Sequence, residues 1–186
     1  AEDINISAAF STFIDLKIVG NANVDWVIST ITEYETGFNP GANMVTFQVS
    51  SSNNFSVAMS MTPMSDGNGN EVDLRNIAVR LFVPEARAAE EGVRWDFAPG
   101  DYYVKSTANG WRKSAIWTPT SSDKTILLPG SQGNAGGYVE NEFQLGLGLG
   151  AKATFDNLPI TNLLEQNITP GTYTGTMTLT AIPEAL

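Results

Sequence analysis

Near the start of the chain, apolar and polar positions alternate. Even positions read Ile4, Ile6, Ala8, Phe10, Thr12, Ile14, Leu16 and Ile18, while the odd positions between them are mostly polar: Asp3, Asn5, Ser7, Ser11, Asp15 and Lys17. Side chains alternate faces along a β-strand, so this pattern predicts an extended segment with one apolar face. At ~3.3 Å per residue it would reach about 50 Å, well beyond the ~17–20 Å of a typical strand. Positions 4–18 are therefore either two strands in series or one strand that overshoots its own domain.

The same reading continues downstream. A turn at Gly20-Asn21-Ala22-Asn23 precedes a strand over Val24–Ile31, and Tyr34–Gly41 reads as loop. Met44–Val49 is a strand with Val45, Phe47 and Val49 on one face. Phe55, Val57, Met59 and Met61 mark another. Asp66-Gly67-Asn68-Gly69-Asn70 is a turn cluster, and Val72–Val83 a core strand stopped by Pro84. Helical propensity is confined to Glu85–Gly92, enough for a turn or two. A hairpin is predicted around Pro99-Gly100-Asp101, short edge strands at Trp111–Trp117 and Lys124–Leu128, and a loop at Gly130–Gly137. In Tyr138–Gly150 the apolar Phe143, Leu145, Leu147 and Leu149 alternate with Gly146, Gly148 and Gly150. A glycine face needs a closely packed backbone or an edge position. Asp156–Thr169 reads as a linker with a short turn at Leu163–Gln166. The last strand sets Tyr173, Met177, Leu179 and Ala181 opposite Thr172, Thr174, Thr176, Thr178 and Thr180.

Many short one-faced strands without a long helix predict an all-β fold, a two-sheet antiparallel β-sandwich of Ig-like or pilin-like type with an extended N-terminal strand. The expected organisation is a single domain over 13–186, with an irregular insertion around 84–137, preceded by an N-terminal extension over 1–12.

Composition narrows the chemistry. The chain has 186 residues, no His and no Cys, and a net charge of −10. Zero His and zero Cys exclude serine–histidine and cysteine–histidine hydrolase schemes, disulfides and thiolate chemistry. The acidity argues against nucleic acid and anionic membranes as partners. No apolar run approaches the ~20 residues of a membrane-spanning helix. The start Ala1-Glu2-Asp3 reads as the product of signal-peptide cleavage, hence a secreted, cell-surface protein.

Candidate chemistry is sparse. Asp66, Asn68, Asn70, Glu71 and Asp73 have the alternate spacing of calcium ligands, but turn chemistry explains Asp-Gly and Asn-Gly equally, so no metal is assigned. The carboxylate pairs Glu90/Glu91, Glu140/Glu142 and Asp96/Asp101 lie in no glycosidase motif. Trp26, Trp95, Trp111 and Trp117 could stack on sugar rings, Trp111 and Trp117 from one face if their segment is a single strand, although core packing is the commoner fate of tryptophan. No cofactor is implied, and the chain is read as a non-enzyme.

The two ends carry the functional reading. Burying Ile4, Ile6, Ala8 and Phe10 is worth roughly 6–8 kcal/mol gross, so they pair within the domain or insert into a neighbouring subunit by strand addition. Head-to-tail insertion does not close and builds a filament. The alternating N-terminal segment, Pro170–Thr180 (PGTYTGTMTLT) and Phe47–Met59 (FQVSSSNNFSVAM) resemble secreted bacterial fimbrial or pilin-like subunits of the chaperone–usher or spore-coat-U-like kind. That resemblance implies donor-strand exchange between copies of the chain. Ile4, Ile6, Ala8 and Phe10 would be the donor, and Tyr173, Met177 and Leu179, with Leu145, Leu147 and Leu149, the acceptor groove. A periplasmic chaperone and surface glycans are further partners of this type. The alternative is a secreted carbohydrate- or surface-binding adhesive module.

Overall fold

The computed structural model describes residues 11–84, 93–96, 101–102, 105–106, 111–113, 116–129, 133–150 and 162–184. With strands numbered along the chain, one antiparallel sheet runs in spatial order β1 (Ile14–Val19), β2 (Phe38–Ser51), β12 (Glu142–Leu149), β6 (Ile77–Pro84), β10 (Trp111–Lys113) and β9 (Lys105–Ser106). The other runs β13 (Met177–Pro183), β3 (Phe55–Met61), β11 (Lys124–Pro129), β7 (Val93–Asp96) and β8 (Asp101–Tyr102). A small hairpin pairs β4 (Met64–Ser65) with β5 (Glu71–Val72). This is the all-β sandwich that the alternation predicts.

Alternation places one core between the sheets. Val45, Phe47 and Val49 of β2 stand beside Phe143, Leu145 and Leu147 of β12, and Leu145, Leu147 and Leu149 pair with Leu81, Val79 and Ile77 of β6. Phe55, Val57, Met59 and Met61 of β3, with Ile126 and Leu127 of β11, close the core from the second sheet. The Phe47 and Phe143 rings sit 5.2 Å apart at a tilt of 30°, an arrangement that aromatic quadrupoles favour.

Between β2 and β3 the chain crosses from one sheet to the other, and an amide clamp secures the corner. Asn134 is fully buried; its Oδ1 accepts from Phe55 N at 2.8 Å and its Nδ2 donates to Phe55 O at 2.8 Å. Asn54 Oδ1 in turn accepts from Asn134 N at 2.9 Å. A second amide pair, Asn76 with Gln166, ties the turn after residue 162 to the start of β6.

Several segments differ from their sequence reading. Val24–Ile31 is not a strand: residues 21–29 form no regular element and join no ladder, and Ile31–Thr36 forms a short helix, α1, where a loop is expected from Tyr34. Its start is fixed by a capping box: Thr30 Oγ1 accepts from Glu33 N and the Glu33 carboxylate accepts from Thr30 N. The Ser29 N–H donates to the same carboxylate at 2.7 Å, and this bond first, with those from Thr30, holds the Glu33 carboxyl below its ordinary pKa. Val72–Val83 is broken by a 3-10 turn at Leu74–Asn76, because Asp73 caps it and turns back to pair with Arg75 at 2.9 Å. Lys124–Leu128 is no edge strand, since β11 lies between β3 and β7. Trp111 and Trp117 do not share a strand: β10 ends at Lys113, and Trp117 makes a separate bridge to Val79. The predicted hairpin at Pro99–Asp101 matches β7 and β8, paired through Asp96 and Asp101. Glu85–Gly92 lies outside the described residues.

The glycine face of β12 has a definite cause. β12 is central, and between Leu147↔Asn43 and Leu149↔Phe38 the register with β2 shifts, so β2 bulges over the sheet at Pro40 and Gly41. A Cβ on Gly148 would lie 2.4 Å from Phe38 O, and one on Gly146 would lie 3.2 Å from Gly41 N. The β2 backbone leaves no room for a side chain at Gly148 and little at Gly146.

Candidate functional site

Sheet edges are where an all-β protein most readily gains a partner, because they expose unpaired N–H and C=O groups. Among the described residues four strands end the two large sheets: β1 and β9 in one, β13 and β8 in the other. β8 and β9 span two residues each, too short to template much pairing. β1 carries Asp15 and Lys17 on its outward face, and both engage Tyr138. The Tyr138 hydroxyl donates to Asp15 Oδ2, and Lys17 Nζ sits 3.7 Å over the ring. The bond to Asp15 raises the Tyr138 pKa.

β13 is different. Its sequence Met-Thr-Leu-Thr-Ala-Ile-Pro holds no charge, and it pairs with β3 from Met177↔Met61 to Pro183↔Phe55 without a register shift. The bonds Thr62 N to Thr176 O and Glu184 N to Asn54 O fix which residues face β3. Because antiparallel ladders alternate, Thr178, Thr180 and Ile182 bond β3. Met177, Leu179 and Ala181 aim their N–H and C=O at the open edge. Their side chains point toward the core and stay half-buried. Pro183 ends the row with no N–H to offer.

β1 and β13 lie alongside each other on this side of the sandwich. Ile14, Leu16, Tyr173, Met177, Leu179 and Ala181 fringe the core there, only partly covered. Ile18 pairs with buried Phe47, hence shares its inward face, yet is 39% exposed. The side is open.

The sequence-predicted site is thus divided. Met177 and Leu179 share the inward row of β13, and Tyr173, upstream of that strand, also packs against the core. Leu145, Leu147 and Leu149 do not join them: they face the middle of the core from the opposite sheet, 1%, 7% and 6% exposed. A donor strand would not reach them without parting the sheets. The donor residues Ile4, Ile6, Ala8 and Phe10 lie outside the described residues. The described chain starts at the exposed Ser11, and Phe13 is anchored to Ser52 by bonds in both directions.

No known protein family and no curated protein matches this chain.

The other candidates resolve into structure. Asp66 Oδ1 accepts from Asn68 N at 2.8 Å and Asn70 N at 3.1 Å, and Oδ2 accepts from Asn70 Nδ2 at 2.7 Å. Its carboxylate is committed to the turn, and these bonds lower its pKa. Among the described residues no group of three or more acidic, His or Cys side chains is arranged to hold a metal. Trp26 and Trp117 are half-buried, packed against the core. Glu142 accepts from Gln48 Nε2 at 2.6 Å, a bond across the outer face of the sheet. Sequence reasoning missed the bonding phase of β13. Its one signal was Pro183, which fits an edge position only where its missing N–H would have faced outward.

Proposed function

We propose that this protein is a structural subunit of an extracellular filament, built when the alternating N-terminal strand of one copy adds to the open β13 edge of the next. The observation that carries this reading is that edge: uncharged, unbulged, with inward-facing Met177, Leu179 and Ala181 presenting outward-aimed backbone groups. A strand laid there gains main-chain bonds and places every second side chain over the half-buried fringe of the core. Ile4, Ile6, Ala8 and Phe10 have that spacing, with Asn5 and Ser7 suited to the outer, threonine-bearing face. The contact is head-to-tail and therefore open-ended. Nothing in it needs catalysis or a cofactor.

The test is electron microscopy and size-exclusion of the full chain beside a chain lacking residues 1–10. The full chain should form filaments and the shortened one should not. A synthetic peptide of residues 1–12 should raise the thermal midpoint of the shortened chain. A full chain that stays monomeric with its N-terminal segment resistant to protease would sink the reading.

A further inference from the structure

Between β1 and β2 the chain makes an excursion whose construction is unlike the rest of the molecule. Across residues 24–29 burial alternates, with Val24, Trp26 and Ile28 packed against the core while Asp25, Val27 and Ser29 face solvent. Such a segment normally joins a ladder. This one does not: among the described residues no backbone bond links residues 20–29 to any sheet, and the hydrogen bonds of residues 21–36 stay within the excursion. Trp26 Nε1 is shielded from solvent with no partner, which weakens the closed arrangement. Gly20 (φ 80°) and Gly37 (φ 62°) bracket the excursion in left-handed conformations, the kind of terminal positions that absorb a hinge rotation. On either side of them, β1 and β2 are firmly paired.

The excursion is also on the relevant side. It starts where β1 ends, and β1 runs along β13. Tyr34 of α1 stands near enough to Tyr173 to affect its ionisation; Tyr173's pKa is raised by burial first and then by Asp66 and Tyr34. Outward of the core the excursion exposes Val27 at 74% and Ile31 at 67%.

We propose that Gly20–Gly37 is a displaceable strap, and that the apolar surface under Val24, Trp26 and Ile28 is the docking site for residues 1–10 of a second copy. This rests on the strand-addition reading above and adds to it the step that makes room. The strap and the donor segment share one pattern, apolar side chains at every second residue, and both address the same core. The strap holds by side chains alone, whereas a strand laid on β13 also gains main-chain bonds. Lifting the strap breaks no ladder, so its opening costs side-chain packing alone. A subunit with its strap down is protected from uncontrolled association, and assembly exchanges one apolar strand for another.

The experiment uses the full chain labelled with fluorotryptophan, kept dilute enough to stay monomeric, with the Trp26 resonance assigned by Trp26→Phe. On adding a peptide of residues 1–12, the Trp26 fluorine signal should move to a solvent-exposed position, and chymotryptic cleavage after Trp26 should accelerate. Trp26→Ala, with its strap weakened, should bind the peptide about tenfold more tightly, since self-competition lowers apparent affinity. The fluorine measurement on the unsubstituted chain stands whether or not that variant folds. Peptide binding with the Trp26 signal unmoved would overturn the strap while leaving strand addition intact. Absence of both binding and assembly would remove the strand-addition reading beneath it.

Discussion

At the scale of single residues, three carboxylates of this protein serve its turns and caps. Asp66 closes the β4–β5 hairpin by accepting from two backbone N–H groups and one side-chain amide. Asp73 caps the 3-10 turn and Glu33 caps α1. All three have pKa values depressed below the ordinary carboxylate range, chiefly by hydrogen bonds. A depressed folded-state pKa means that protons bind the unfolded chain more readily. Each group's stabilising contribution is therefore complete above its unfolded pKa and is lost as pH falls through the folded value. Stability in urea should fall as pH drops below about 4. Asp66→Asn keeps an acceptor for the turn but cannot ionise, so its decline should be shallower. Equal slopes for the two proteins would show that Asp66 contributes nothing to the acid limb.

At the scale of elements, the fold was legible where apolar residues recur at every second position, even in Phe55–Met61, whose opposite row of Ser56 and Ala58 is also buried. Phe55–Met61 and Met44–Val49 show their inward rows directly, as the register confirms. Reading failed where local chemistry competed with alternation. Val24, Trp26 and Ile28 alternate as a strand would, and their side chains do point inward, but no neighbour offers them a ladder. The helix that follows announced itself only by Thr30 and Glu33, three apart. β12 shows what sequence alone leaves open, since its glycines fit an edge or a close approach equally. The bulge of β2 decides for close approach and sets a ranked expectation. Gly148→Ala drives a Cβ to 2.4 Å from Phe38 O and 2.8 Å from Pro40 N, so the bulge must shift. Gly146→Ala meets its nearest neighbours at 3.0–3.2 Å, and the first of them is the tip of the Phe82 ring. Overpacking of the first kind costs roughly 1–3 kcal/mol, and Gly146→Ala should cost less. Denaturant unfolding of the two variants checks the order. A smaller loss for Gly148→Ala would mean that the bulge yields freely.

At the scale of the whole molecule, the question is whether an edge can be closed without harming the domain that carries it. The bonding phase of β13 offers a substitution that separates the two. Ala181 pairs with Val57 at a position where its own N–H points away from β3. Proline there removes no intramolecular ladder bond, whereas at Thr180 it would remove one. Pro183, two residues on and in the same phase, shows that the strand accepts proline at an outward position. Ala181→Pro should therefore leave the monomer folded, with a thermal midpoint close to that of the parent, yet deny an incoming strand a central donor. Thr180→Pro, one residue away, should unfold or strongly destabilise the domain. If filaments assemble by strand addition on this edge, Ala181→Pro lengthens the lag and shortens or abolishes them in a sedimentation assay. The same variant assembling at the parent's rate would place the contact on another surface. That result would leave β13 an uncapped edge with no partner, and would move attention to the exposed Val27 and Ile31 of the strap.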